Sequence, residues 1–78
     1  MTNIEKYNEA FISSFGINED ALCGLEYQGI AQWDSVGHMQ LIAALEEAFD
    51  IMFDTDDIID LNSYECGKEI LKKYEVEI

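Results

Sequence analysis

Ser35 has the setting that most invites chemistry. It follows Asp34 and lies one helical turn before His38, so an acid, a hydroxyl and an imidazole fall in one short run. A serine beside a histidine suggests nucleophilic catalysis. The context argues against it. Asp34-Ser35-Val36-Gly37 is not the G-x-S-x-G elbow of a hydrolase, and no strand leads into it. His38, the only histidine, is expected to be a partly buried, hydrogen-bonded side chain. The chain is not expected to be an enzyme.

Metal chemistry fares no better. Cys23, Cys66 and His38 are too few and too scattered for a zinc finger. An EF-hand loop begun at Asp54 would put Asp56, Asp60, Asn62 and Glu65 at ligand positions. It would also put Ile58 and Ile59 where an oxygen ligand and the turn glycine belong. The expectation is no specific metal site, with loose screening of the acidic cluster by divalent cations. There is no C-x-x-C pair. Cys23 and Cys66 read as free, mostly buried thiols of a reducing compartment.

Charge narrows the partners. Seventeen acidic residues face four basic ones, all lysine, for a formal charge of −13. Phosphate-led binding to nucleic acid needs a basic face and is excluded. Electrostatic docking on an anionic membrane is excluded in the same way. Ile, Leu, Val and Phe supply 22 of the 78 residues, enough for a folded domain with a core. A chain of this length makes one domain, residues 1–78. The longest apolar run, Leu41–Leu45, is five residues, against about 20 for a membrane helix. The run Thr2-Asn3-Ile4-Glu5-Lys6 lacks the features of a signal peptide. The expectation is a cytoplasmic monomer whose partners are basic.

The elements that must position Ser35 read as helices. Ile4, Tyr7, Phe11, Ile12 and Phe15 recur at helical spacing, after a Thr2-x-x-Glu5 capping box and before a C-cap glycine, Gly16. Residues 17–33 have no clean period and make a long loop packed on the core, with a short turn after Asn18 or Asp20. Asp34 or Ser35 caps a second helix that runs to about Asp50. A short acidic helix covers about Thr55–Asp60. An Asn62-x-x-Glu65 box opens a last helix that runs to about Tyr74, and the tail Glu75–Ile78 is expected to fray. The fold class is all-α: a small bundle of three longer helices and one short third helix, with a long first loop.

The second helix has two unlike faces. Leu41, Ile42, Leu45, Phe49, His38 and Ala48 fall on its core side. Val36, Met39 and Ala43 point outward near its start, followed by Glu46, Glu47 and Asp50. A purely structural outer face would be polar throughout, so the apolar group beside Ser35 suggests a docking surface. Glu46 and Glu47, facing away from the core, are expected to be dispensable for folding.

The run Trp33-Asp34-Ser35-Val36-Gly37-His38-Met39, followed by Leu41-Ile42-Ala43-Ala44-Leu45-Glu46-Glu47-Ala48-Phe49-Asp50-Ile51, resembles the acyl carrier proteins. Those are small acidic four-helix bundles. Their Asp-Ser motif is followed by an apolar residue, and the serine carries 4′-phosphopantetheine. Length, charge, the long first loop and the short third helix agree with the resemblance. Several positions depart from the housekeeping fatty-acid carrier. Val36 stands where leucine or methionine is commoner, Gly37 and Gln40 where acids are frequent, and Asp54 where proline is frequent. Trp33 is closer to D-alanyl carriers, peptidyl carriers and stand-alone carriers of specialised or surface-polysaccharide pathways.

The resemblance implies that a phosphopantetheinyl transferase modifies Ser35, with Asp34 and Val36 beside it. The chain would then hold acyl or aminoacyl groups as thioesters for enzymes of a fatty-acid-like, polyketide or surface-polysaccharide pathway. It implies a docking face of Val36, Met39, Glu46 and Glu47, extended by Asp56 and Asp57, for enzymes with basic patches. Leu41, Leu45, Phe49, Ile58 and Leu61 would form the core and line any acyl chain that folds back. Independently of the resemblance, a phosphodiester on Ser35 would sit in the positive field of a helix start. The alternatives are a D-alanyl or peptidyl carrier, an acidic protein-interaction domain without a prosthetic group, and a calcium-responsive helical domain.

Overall fold

The structure, a computed structural model, describes residues 2–78. Among these, four α-helices and one 3-10 turn make an all-α bundle without strands. Helix α1 spans Asn3–Phe15. Both bonds of its capping box form: Glu5 N–H donates to Thr2 Oγ1 at 3.3 Å, and Thr2 N–H to Glu5 Oε1 at 3.1 Å. Gly16 ends the helix at φ 63°, a left-handed conformation that glycine adopts without a side-chain clash. Tyr7, Ala10, Phe11 and Phe15 form the buried stripe.

The connection to the next helix is long but not loose. A 3-10 turn covers Glu19–Ala21, and Leu22, Leu25 and Trp33 are buried. Tyr27 N–H donates to Asn62 O at 2.8 Å, and Tyr64 N–H to Leu25 O at 2.9 Å. These two bonds flank an isolated antiparallel bridge between Glu26 and Ser63. The loop is thereby fastened to the far end of the chain.

Helix α2 spans Ser35–Phe49 and packs against α1. Of the two candidate caps, Asp34 serves: its Oδ1 accepts from Gly37 N–H at 2.8 Å. Ser35 is therefore the first helical residue, with its hydroxyl uncommitted to capping. Asp50 closes the helix at φ 53°, a conformation that aspartate tolerates better than most side chains. Helix α3 spans Thr55–Asp60 and α4 Tyr64–Lys73.

Two expectations at the end of the chain are corrected. The cap of α4 is Ser63, not Asn62: Ser63 Oγ accepts from Cys66 N–H at 3.0 Å. The bridge to Glu26 keeps Ser63 extended, so the helix begins one residue later than the Asn62 box implied. The tail also does not fray as described. Glu75 adopts φ 64°, and its N–H donates to Lys72 O while that of Val76 donates to Leu71 O, both at 3.1 Å. These are the two bonds of a Schellman motif, and Val76 is buried with it. Asn3 Nδ2 donates to Glu77 O at 3.0 Å and ties the tail back to α1.

The core centres on Trp33, which is fully buried. Phe11 and Phe15 lie 5.6 and 5.3 Å from it by ring centroid, and His38 stacks on it with 16° between the planes. Aromatic contacts of this kind are worth about 0.5–1.5 kcal/mol each beyond area burial. Leu41, Leu45, Leu61 and Leu71 complete the interior, all fully buried.

Candidate functional site

Ser35 stands exposed at the start of α2. In that first turn, the N–H groups of Gly37 and His38 are taken by Asp34 Oδ1 at 2.8 Å and Asp34 O at 2.7 Å. Those of Ser35 and Val36 make no hydrogen bond within the described chain. They give the helix end its free donors. Ser35 Oγ lies 3.3 Å from the hydroxyl of Tyr27, a half-buried loop residue packed edge-on against Trp33 and His38.

Ser35 opens on a groove of about 380 Å³ between α2 and α3. Tyr27, His38 and Met39 line it on one side, and Ile58, Ile59, Leu61 and Asn62 on the other. Of its lining residues Met39 is 54% exposed and Ile59 70%, and Val36, next to Ser35 in the chain, is 68% exposed. Met52, in the α2–α3 connection, is exposed as well. Three large apolar side chains are thus left in water around one serine hydroxyl.

His38 is not poised to activate that hydroxyl. Its Nδ1 accepts from Trp33 Nε1 at 3.0 Å, and its Nε2 lies 2.7 Å from Ile58 O. An indole N–H can only donate and a carbonyl can only accept. The partners therefore assign the neutral ring with its proton on Nε2. Both nitrogens are committed, to Trp33 and to Ile58, and not to Ser35.

The acidic residues separate into two kinds. Asp34, Glu47 and Asp56 are exposed. Glu46 is half-buried, and its Oε2 accepts from Phe53 N–H at 3.0 Å, which pins the chain just after α2. It is not the freely dispensable surface acid expected. Asp57 departs further. It is only 6% exposed, and Lys73 Nζ and Tyr74 OH donate to its two oxygens at 2.9 and 2.5 Å. The Lys73 bond, and then the Tyr74 bond, hold its carboxyl below the usual carboxylate range. Asp57 therefore locks α3 to α4 and does not extend the exposed acidic face.

The residues expected to line an acyl chain also divide. Ile58 and Leu61 border the groove at Ser35. Leu41 and Leu45 are sealed in the packed core, and Phe49 is packed against it. Of the thiols, Cys23 is exposed, contrary to expectation, because it sits at a turn of the first loop; Cys66 is half-buried, and both are free. The segment read as an EF-hand folds into α3, and among the described residues no three His, Cys, Asp or Glu side chains converge on a possible metal position. No described helix is long and apolar enough to cross a membrane.

The sequence gives no reason to place Tyr27 at the site, and it offers Asn62 only as a helix cap and an EF-hand ligand position. Tyr27 stands in a loop without period, and only folding brings its hydroxyl to Ser35. Comparison with known proteins adds no relative: no family model, curated protein or solved structure matches the chain.

Proposed function

We propose that the chain is a discrete acyl carrier protein that acts in the cytoplasm as a monomer and receives a 4′-phosphopantetheine arm on Ser35. The observation that carries this reading is an exposed serine hydroxyl at the first position of a helix, free of capping and 3.3 Å from the Tyr27 hydroxyl, beside Val36, Met39 and Ile59. The residues fit the group. Ser35 and Val36 offer free N–H donors to a phosphodiester, Tyr27 OH stands within reach, and Ser35 is exposed.

In the modification, Ser35 Oγ attacks the pyrophosphate of coenzyme A. An Oγ–P bond forms, the bridging P–O bond breaks, adenosine 3′,5′-bisphosphate leaves, and the hydroxyl proton passes to a base of the transferase. His38 cannot supply that base, since both of its nitrogens are engaged. The arm, once attached, supplies a thiol on which an acyl group is carried as a thioester. Asp34 holds the helix start in register, so Ser35 meets the transferase from a fixed backbone. Val36, Met39 and Ile59 present an apolar contact, with Glu47 and Asp56 as exposed acids to steer a basic partner. Two free thiols are in keeping with a reducing compartment.

The same exposed apolar group would suit a second reading, an acidic interaction domain that binds a partner without any arm. Incubation with coenzyme A and a broad-specificity phosphopantetheinyl transferase separates the two. The carrier gains one phosphopantetheine mass, and the interaction domain gains none.

A further inference from the structure

We infer that His38 bars the way from Ser35 into the core, so that an acyl group tethered at Ser35 stays outside the helices and the cargo class is short acyl groups. This rests on the carrier reading above. A chain leaving Ser35 reaches the interior most directly through the seam between α2 and α3, which forms the inner wall of the groove. His38 spans that seam. Its Nε2–H donates across it to Ile58 O at 2.7 Å, and its Nδ1 is held from behind by Trp33 Nε1 at 3.0 Å.

The ring is fixed at both ends, and to swing aside it must leave an indole N–H and a carbonyl unpaired in a partly buried place, which is costly. Fully buried Trp33 stacks against the ring and backs it. Behind the seam, Leu41 and Leu45 are fully buried, and none of the described cavities reaches them. An alkyl chain gains by leaving water in proportion to the area it hides. Here that gain is closed off, and what is left is a shallow open groove. A short acyl group forgoes little by staying in solvent; a long one forgoes much.

The test loads the chain from acetyl- and octanoyl-coenzyme A with a broad-specificity transferase. The same Oγ–P bond forms and the same bisphosphate leaves, so each acyl arm arrives intact. The readouts are the methyl resonances of Leu41 and Leu45, the Trp33 indole N–H resonance, and the melting temperature. In the wild type, the two loaded forms are expected to coincide in all three. In His38→Ala, octanoyl is expected to shift the core methyls and raise the melting temperature above the acetyl form. Core methyls that move with octanoyl in the wild type would overturn the inference. A folded His38→Ala chain that still excludes octanoyl would overturn the role given to His38. Should that variant not fold, the wild-type comparison decides alone. If neither acyl arm adds mass, the carrier reading falls together with this one; if mass is added and the core methyls move, only this one falls.

Discussion

Trp33 donates its indole N–H to Nδ1 of His38 at 3.0 Å, and the two rings stack with 16° between their planes. Through Ile58 O, the same histidine reaches α3. One relay therefore joins the first loop, α2 and α3 around Ser35. Trp33→Phe keeps an aromatic ring but removes the donor. The loss of stability should be at least the cost of one unpaired buried acceptor, about 1–3 kcal/mol. Urea unfolding followed by far-ultraviolet circular dichroism measures it. An unchanged midpoint would show that the relay does not hold the fold.

Gly37 sits in the first turn of α2, where alanine should favour the helix by about 1 kcal/mol. The expected outcome is the reverse. A Cβ at this position would lie 2.0 Å from Gln32 O and 3.3 Å from a Phe15 ring carbon. The first contact is with backbone and cannot give way cheaply. Gly37→Ala should lower the melting temperature and disturb the setting of Ser35. A variant as stable as wild type would mean that the loop before α2 yields readily.

Glu46 and Glu47 are adjacent acids with different duties. Glu47→Lys should leave stability within about ±0.5 kcal/mol, as surface changes usually do. It should slow modification by a transferase at low salt, with the gap closing as salt screens the charges. Glu46→Lys should cost about 1 kcal/mol or more, because Phe53 N–H loses its acceptor. Paired thermal melts and transfer rates check both. Equal destabilisation by the two changes would contradict the distinction.

Much of the fold is legible because its signals are local. The Thr2 box, Gly16, Asp34 and the apolar stripe of α1 lie within a few residues of what they control. What stays hidden depends on distant partners. Asp56 and Asp57 are indistinguishable in an acidic run until Lys73 and Tyr74 arrive on one of them. Asn62 and Ser63 are both good caps, and the bridge to Glu26 chooses Ser63. Glu75 gives no hint of a left-handed turn, since glycine is the usual residue there. At the site, Asp34, Ser35, Val36 and Met39 could be placed from a helical wheel. Tyr27 and Ile59 could not, because a loop without period and a short acidic helix bring them in.

Asp57 gives the fold a dependence on acid. Its carboxyl titrates below the ordinary value of 3.8, chiefly through its bond from Lys73 and then that from Tyr74. A depressed carboxylate contributes stability that is fully present above the unfolded-state value and is lost as pH falls through the folded one. Wild type should therefore melt above Asp57→Asn at neutral pH. The difference should shrink below about pH 4 as the carboxyl becomes neutral in both states. Melting curves of the two proteins from pH 7 to pH 3 follow it. A difference that persists undiminished at the acid end would show that the Asp57 charge is not what holds α3 to α4.

The central claim is that Ser35 alone takes the prosthetic arm. Its hydroxyl is exposed at the start of α2, while Ser63 Oγ is engaged as the cap of α4 and Ser13 and Ser14 lie within α1. The most direct measurement is the intact mass of wild type and Ser35→Ala after incubation with coenzyme A and a broad-specificity transferase. Circular dichroism should show both folded alike. The expected result is a single phosphopantetheine increment on wild type and none on the alanine variant. An increment on Ser35→Ala, or none on wild type under conditions that modify a control carrier, would contradict the account.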